Sequence, residues 1–525
     1  MKKRFDCLII GGGHNGLVAA FYLAKAGLKP LVLERSAHIG GGAVTTEISP
    51  GFYCPTLSHE VLIHDQIFAE MELRRHGIGL LSPDADVCAL SPNGDPLVLW
   101  NNNSRTADAL RARRPHDGNV WVSFREGIDR AVSVLADVLT SPPPDIDSPG
   151  AGDLWRLLKT GRDFRGLGKR GGHQLLRWLP MPIADLTREW FEDELLRAAI
   201  AGPGVSGTML GPRSAGSTLV MLLREAHRHL SGQRRLQVHG GPGRLTQAMA
   251  AAATTAGAEI RTGAPVERII VRDERVAGVV VSGREIPATT VLSCVDPKTT
   301  FLELFDPVDL TPDFLLKMRN YRAQGTVAKV NVALSALPRF RGVTDVSMLT
   351  GHIHIGPDLD YLERAFDHTK YGEVSASPWL DITVPSVLDG ELAPPGAHVM
   401  SVYAHYAPYS LRGTDWSSMR QTLLTRVIKT LEDHAPGLSS TMVAANIITP
   451  AEMQNDYGLW GGHIFHGELA PDQLYAMRPL LGAGRYESPI RGVFLCGAGT
   501  HPGGFMSGIN GRLAAQHVLR SVAVR

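Results

Sequence analysis

Cysteine is scarce. The chain has five in 525 residues, Cys7, Cys54, Cys88, Cys294 and Cys496, scattered, odd in number and without a C-x-x-C. This excludes a redox-active disulfide and a zinc-type spacing, so no metal site is assigned and buried free thiols are predicted. Long apolar runs are also missing: no stretch of about eighteen uninterrupted apolar residues exists, so no transmembrane helix is predicted. Neither charge dominates, with 53 Lys and Arg against 52 Asp and Glu and a formal net charge of +1. Nothing therefore points to nucleic acid as a partner. H-E-x-x-H, an elbow of the G-x-S-x-G type and a Walker A loop are absent too. The start, Met1-Lys2-Lys3-Arg4, is basic, but the apolar run behind it is short. That predicts no signal peptide and a cytoplasmic protein, with peripheral membrane association left open.

Glycine, by contrast, is plentiful at 56 residues, in a chain whose apolar fraction of 44% suits a globular enzyme of two or three domains. The densest information lies in Phe5 to Glu34. Cys7-Leu8-Ile9-Ile10 reads as a strand, Gly11-Gly12-Gly13-His14-Asn15-Gly16 as a G-x-G-x-x-G turn, and Leu17 to Ala24 as a helix. Pro30 to Leu33 reads as a second strand ending at Glu34. In this βαβ unit Gly11 makes the tight turn, Gly13 admits a pyrophosphate to the main chain and Gly16 lets helix and strand pack closely. The helix N-terminus faces the phosphates, and Glu34 can accept from a ribose diol. Arg35 and the glycines Gly40, Gly41 and Gly42 suggest a second close backbone approach, an extension found in flavoproteins of the glutathione-reductase type, which tilts the cofactor from NAD to FAD.

Further along, Asp84 to Trp100 reads as a hairpin turning at Pro92-Asn93-Gly94-Asp95, and Leu139 to Gly152 as a loop. Leu154 to Arg170 mixes Trp, Leu and Phe with Lys and Arg. It reads as a segment lying on an anionic membrane surface or, more plainly, as a solvated helix over a pocket. Trp190 to Ala201 and Ser217 to Leu230 read as helices separated by Gly202-Pro203-Gly204 and Gly211-Pro212. Gly241-Pro242-Gly243 lacks a third glycine and a following acid, so it reads as a helix start rather than a second dinucleotide turn. Near the end, the strand Gly492 to Cys496, the turn Gly497 to Gly508 and a helix from about Asn510 form another backbone cradle.

Together these motifs resemble the phytoene-desaturase-like FAD-dependent oxidoreductases, closest to the branch called pyridine nucleotide-disulfide oxidoreductase domain-containing protein 2. The resemblance rests on Gly11 to Leu17, Glu34-Arg35 with Gly40-Gly41, Trp190-Phe191-Glu192, His239 to Gly243, Gly461 to Glu468 and Cys496 to Gly504. It implies an α/β protein with a discontinuous Rossmann-type FAD-binding domain of the glutathione-reductase and amine-oxidase type, plus an α+β substrate domain with a helical lid. The FAD-binding domain would comprise 1–65, 235–300 and 485–525; residues 66–234 would form the lid and part of the substrate domain, and 301–484 the rest of it.

Carried over by motif, Gly11, Gly13, His14, Asn15 and Gly16 meet the pyrophosphate, Glu34 the adenosine ribose with Arg35 beside it, and Gly41 and Gly42 the phosphate and ribityl region. Val266 contacts the adenine side. Gly497, Gly499, Thr500, Gly508 and Ile509 form the flavin cradle. Ala498 stands where glutathione-reductase relatives have Asp, and Tyr53-Cys54-Pro55 departs from the carotenoid desaturases. His466 and Glu468 are candidates for an assisting base, with His405 and Tyr406 second, while His501 sits in the flavin loop. The implied activity is C–C desaturation, saturation or isomerisation of a hydrophobic isoprenoid or polyene-like substrate by hydride transfer with FAD, and a quinone or O2 takes the electrons. Alternatives are an FAD-dependent amine or alcohol oxidase, or a flavin-fold protein with a non-enzymatic interaction role. Oligomerisation stays open.

Overall fold

The computed structural model describes residues 5–146, 148–232 and 236–523. The basic start at Met1 to Arg4 and the expected boundary at 234/235 lie outside them.

A parallel five-stranded sheet is built from three distant parts of the chain. Its order is Val493–Leu495, Val291–Ser293, Cys7–Ile10, Pro30–Leu33, Glu259–Arg261. The run Cys7-Leu8-Ile9-Ile10 is apolar throughout because both of its faces are covered. Cys7 and Ile9 pack toward the helices His14–Lys25, Pro242–Ala256 and Ile509–Ala523. Leu8 and Ile10 pack the other way, with Ile269 and Val279 of a three-stranded antiparallel meander over Val266–Pro287. The first and last helices are close: a Cβ on Gly511 would lie 2.1 Å from the Asn15 carbonyl oxygen. All five cysteines are buried and free.

A second, mixed sheet of seven strands runs Met442–Ile448, Val327–Leu334, His398–His405, Leu380–Thr383, His352–Ile355, Ala85–Ala89, Leu97–Trp100. The last two strands are the predicted hairpin, paired with Cys88 opposite Val98. Seven helices between Asn103 and Leu230 form a body around Trp121, Phe124, Trp178 and Phe191.

Two expectations are corrected here. Trp190 to Ala201 is not one helix. Ile183–Trp190 ends, and Asp193 caps a new helix, Glu194–Val205, by accepting from the Leu195 and Leu196 amides at 2.9 and 3.1 Å. Asp117, from another helix, accepts from the Glu192 and Asp193 amides at 2.8 and 2.9 Å and fixes the break. Nor do Gly202-Pro203-Gly204 interrupt structure; the helix runs through them to Val205. Among the described residues no helix is long and apolar enough to cross a membrane.

Candidate functional site

The carboxyl ends of the parallel strands open onto one cavity of about 380 Å³, the crevice position expected of an open parallel α/β sheet. At this end its wall includes Gly11, Gly13, His14, Asn15, Glu34, Arg35, Gly41, Gly42 and Val266. Gly13 sits at the N-cap of His14–Lys25 without a side-chain cap, so the first N–H groups of the helix are uncovered by any side chain. A Cβ at Gly13 would meet nothing within 4 Å, whereas one at Gly16 would lie 2.2 Å from the Gly11 carbonyl oxygen. The first glycine thus faces open space, and the second is a packing requirement. Gly40 lies on the turn, its amide 2.9 Å from the Gly12 carbonyl, with φ +126° reserved for glycine.

Glu34 is held rigidly. Its carboxylate accepts from the Gly12 amide at 2.7 Å and the Ser36 amide at 2.8 Å, while its own N–H donates to Arg261 at 2.8 Å. A carboxylate has about four acceptor positions, so capacity remains for a diol. Asn15 Oδ1 is buried with no hydrogen-bond partner. A glycine facing open space and an uncapped helix start fit a dinucleotide phosphate; the Asn15 oxygen calls for a donor instead. The Arg35 guanidinium, by contrast, donates to the Asp456 carbonyl at 2.9 Å and caps the helix Pro450–Tyr457. Gly241-Pro242-Gly243 starts a helix, as expected, and Gly243 N–H donates to Thr45 Oγ1 at 3.0 Å, supporting the second glycine loop.

The C-terminal motif reaches the cavity through Ala498, Gly504, Phe505 and Met506. Gly497, Gly499, Thr500, Gly508 and Ile509 are not on that wall. A Cβ on Gly497 would lie 2.4 Å from the Cys294 carbonyl oxygen and one on Gly499 2.3 Å from Pro297 Cδ. Thr500 Oγ1 donates to the Gly497 carbonyl at 2.8 Å, and Gly508 abuts Val18. These residues shape the turn that presents Ala498.

Of the four candidate bases, His466, Glu468, His405 and Tyr406, only His466 lines the cavity. Burial, then the nearby Arg478 charge and His14, push it down to about 3, and its Nδ1 has no partner. Glu468 lies behind the wall, accepting from the Met209 amide at 3.2 Å and paired with His463 Nε2 at 3.2 Å. His405 stacks on Trp379 with ring centroids 3.8 Å apart, Tyr406 donates to the Leu210 carbonyl at 3.0 Å, and His501 Nε2 donates to the Val138 carbonyl at 3.1 Å.

Several features in and behind the cavity wall escaped sequence reasoning. Arg478 is fully buried and donates to the carbonyls of Ala498, Phe465 and Glu468 at 2.9, 2.8 and 2.8 Å. It clamps the His466 segment to the C-terminal turn. Arg478→Lys, which cannot span this fork, is expected to lower stability by about 2–3 kcal/mol, read as a lower thermal midpoint. At the far end, Leu57, Leu62, Ile464, Phe465, Phe505 and Met506 form an apolar chamber. Arg224 and Glu60 form a buried ion pair on its wall, beside Ser58 and Tyr403. Behind Tyr403, burial pushes Lys329 down to about 7; its ammonium lies 5.0 Å from the Tyr403 ring centroid and bonds Ser401 Oγ. His59, His352 and Asp381 also converge nearby: His352 Nδ1 lies 2.6 Å from one Asp381 carboxylate oxygen and His59 Nε2 3.5 Å from the other.

Residues 109–519 match the family described as flavin containing amine oxidoreductase, and residues 9–66 match the NAD(P)-binding Rossmann-like domain. The rat (Rattus norvegicus) pyridine nucleotide-disulfide oxidoreductase domain-containing protein 2 is 35% identical, covering 99% of this chain and 94% of its own. The lycopene-forming phytoene desaturase of Pseudescherichia vulneris is 29% identical, covering 100% of this chain and 99% of its own. Among solved structures, cyclohexylamine oxidase from Brevibacterium oxydans shares the fold with a TM-score of 0.60 at 15% identity, covering 99% of this chain and 100% of that one.

Proposed function

The chain belongs to the flavin-containing amine oxidoreductase family and its cofactor is FAD; from that premise we propose that it desaturates, saturates or isomerises a C–C bond in a hydrophobic, isoprenoid- or polyene-like molecule. The observation that carries this reading is the far chamber, apolar on most sides and, among the described residues lining it, with its Arg224 and Glu60 charges paired. An amine needs an acid or an aromatic slot. Glu60 is neutralised by Arg224, and the Phe465 and Phe505 rings touch with centroids 4.9 Å apart, leaving no slot between them. The name of the phytoene desaturase relative supports the same reading.

In this proposal the FAD-binding domain is drawn from 1–65, 235–300 and 485–525, supported by the three-part parallel sheet. Gly11, Gly13, His14 and Asn15 receive the pyrophosphate, Gly16 holds the helix close behind them instead of meeting it, and Glu34 receives the ribose. Arg35, Gly41, Gly42 and Val266 flank them. Gly497 to Thr500 with Gly508 and Ile509 shape the flavin cradle. When bound, FAD supplies the hydride acceptor or donor. The apolar walls position the carbon chain and exclude water. His466, neutral at physiological pH, takes the proton. Although weakly basic, it meets a C–H that becomes strongly acidic once hydride departure leaves positive charge next to it. In the desaturating direction the electrons leave to a quinone or to O2.

The test is anaerobic mixing of the FAD-loaded protein with polyenes, amines and alcohols. Polyenes are expected to bleach the flavin absorption. Bleaching by amines or alcohols alone would overturn the substrate class, and a protein that takes up no FAD would overturn the activity.

A further inference from the structure

The helices Ala151–Gly166 and Gly168–Trp178 form a hairpin whose two sides differ sharply. Toward the body, Phe164 and Leu167 pack on the helical core, and Leu175 and Trp178 are buried in it. Outward, Leu154, Trp155, Leu157, Leu158 and Leu176 are exposed, Trp155 by 70% and Leu158 by 68%. At 100° per residue, Leu154, Trp155, Leu157 and Leu158 fall within one half of the first helix, and Arg162 and Arg165 continue the same arc. Lys169 and Arg170, at the turn, are exposed as well.

Charge singles the hairpin out further. Residues 151–178 hold seven Lys and Arg against two Asp, a formal +5 in a chain whose total is +1. The remainder is therefore net negative. Arg156 pairs with the buried Asp153, Arg162 lies 3.5 Å from Asp163, and Lys159 and Arg177 meet Asp137 and Glu189, so the excess on the outer face is carried chiefly by Arg165, Lys169 and Arg170. An apolar ridge of Trp and Leu continued by cations is the pattern of a helix lying in a lipid interface. A protein partner would need shape on its own side; an anionic bilayer needs only these two properties.

We propose that the outer face of this hairpin docks the protein on an anionic lipid membrane, with Trp155 and Leu158 entering the acyl boundary and Arg162, Arg165, Lys169 and Arg170 meeting the headgroups. The lipid charge supplies attraction that salt screens, and the apolar ridge supplies the salt-resistant part. The surface is separate from the cavity and does not depend on the substrate assigned to it.

The test is co-sedimentation of the FAD-loaded full chain with vesicles of phosphatidylcholine alone and of phosphatidylcholine with phosphatidylserine. Binding is expected to the mixed vesicles and to weaken as salt rises. Trp155→Ser with Leu158→Ser should lower partitioning at least about tenfold, and Arg162→Glu with Arg165→Glu should abolish the preference for anionic vesicles. Both pairs lie on the surface and should keep the wild-type circular dichroism and FAD content. No binding to the mixed vesicles, or equal binding by the variants, would overturn the proposal. So would self-association in sedimentation velocity that Trp155→Ser removes, since the face would then belong to a second copy.

Discussion

Gly13→Asp gives a folded protein that does not retain FAD. The new Cβ would meet no atom within 4 Å, and Gly13 has φ −72°, which any residue adopts, so the fold has no reason to object. The carboxylate, however, would stand at the uncapped start of His14–Lys25, where the phosphates are placed. Two like charges about 4 Å apart at an effective dielectric near 20 repel by roughly 4 kcal/mol, about a thousandfold in affinity. Gly13→Ala is the control: it adds bulk without charge and should lose far less. FAD content after purification and titration of the apoprotein measure the effect, while thermal unfolding shows that the fold survives. Wild-type FAD content in Gly13→Asp would refute the phosphate placement.

The turn was readable because everything that makes it is local. Strand, glycines, helix and acid occupy one stretch, and both-sided burial writes the strand as an unbroken apolar run. The hairpin at Asp84 to Trp100 was readable for the same reason. What escaped was long-range. Arg224 meets Glu60 across 164 positions, and Arg478 gathers carbonyls that no local pattern announces. The false helix at Trp190 to Ala201 failed in the same way, since Asp117 fixes the break from 75 positions upstream. The C-terminal glycines mislead differently. Density of glycine reports close approach, and at Gly497 and Gly499 what approaches is the chain itself, leaving Ala498 on the wall.

Acid should unfold the protein well before its carboxylates titrate. His59, His64, His227, His354, His405 and His501 are all held below their ordinary range, first by burial, at about 4 for four of them and about 3 for His227 and His405. The geometry explains why a second proton is unwelcome. His354 Nδ1 accepts from Trp379 Nε1 at 3.0 Å while Nε2 bonds the Gly356 carbonyl at 2.9 Å, so both positions are committed to the neutral ring. His64 Nδ1 accepts from the Gln66 amide at 3.1 Å, and neither ring nitrogen of His227 has a partner to steady a charge. In the unfolded chain each protonates near pH 6.5, so the unfolded state gains protons first as pH falls. The stability these residues leave intact above that pH is lost progressively toward the folded values. Each should cost about 1 kcal/mol at roughly pH 5.5 and about 2 kcal/mol at roughly pH 5. Six together reach on the order of 10 kcal/mol, comparable with the whole net stability of a typical domain. Cooperative loss of circular dichroism is therefore expected between about pH 6 and pH 5, and His405→Phe, which keeps the stack on Trp379 without a titrating nitrogen, should shift the midpoint to lower pH. A protein still folded at about pH 4 would overturn this account of its acid sensitivity.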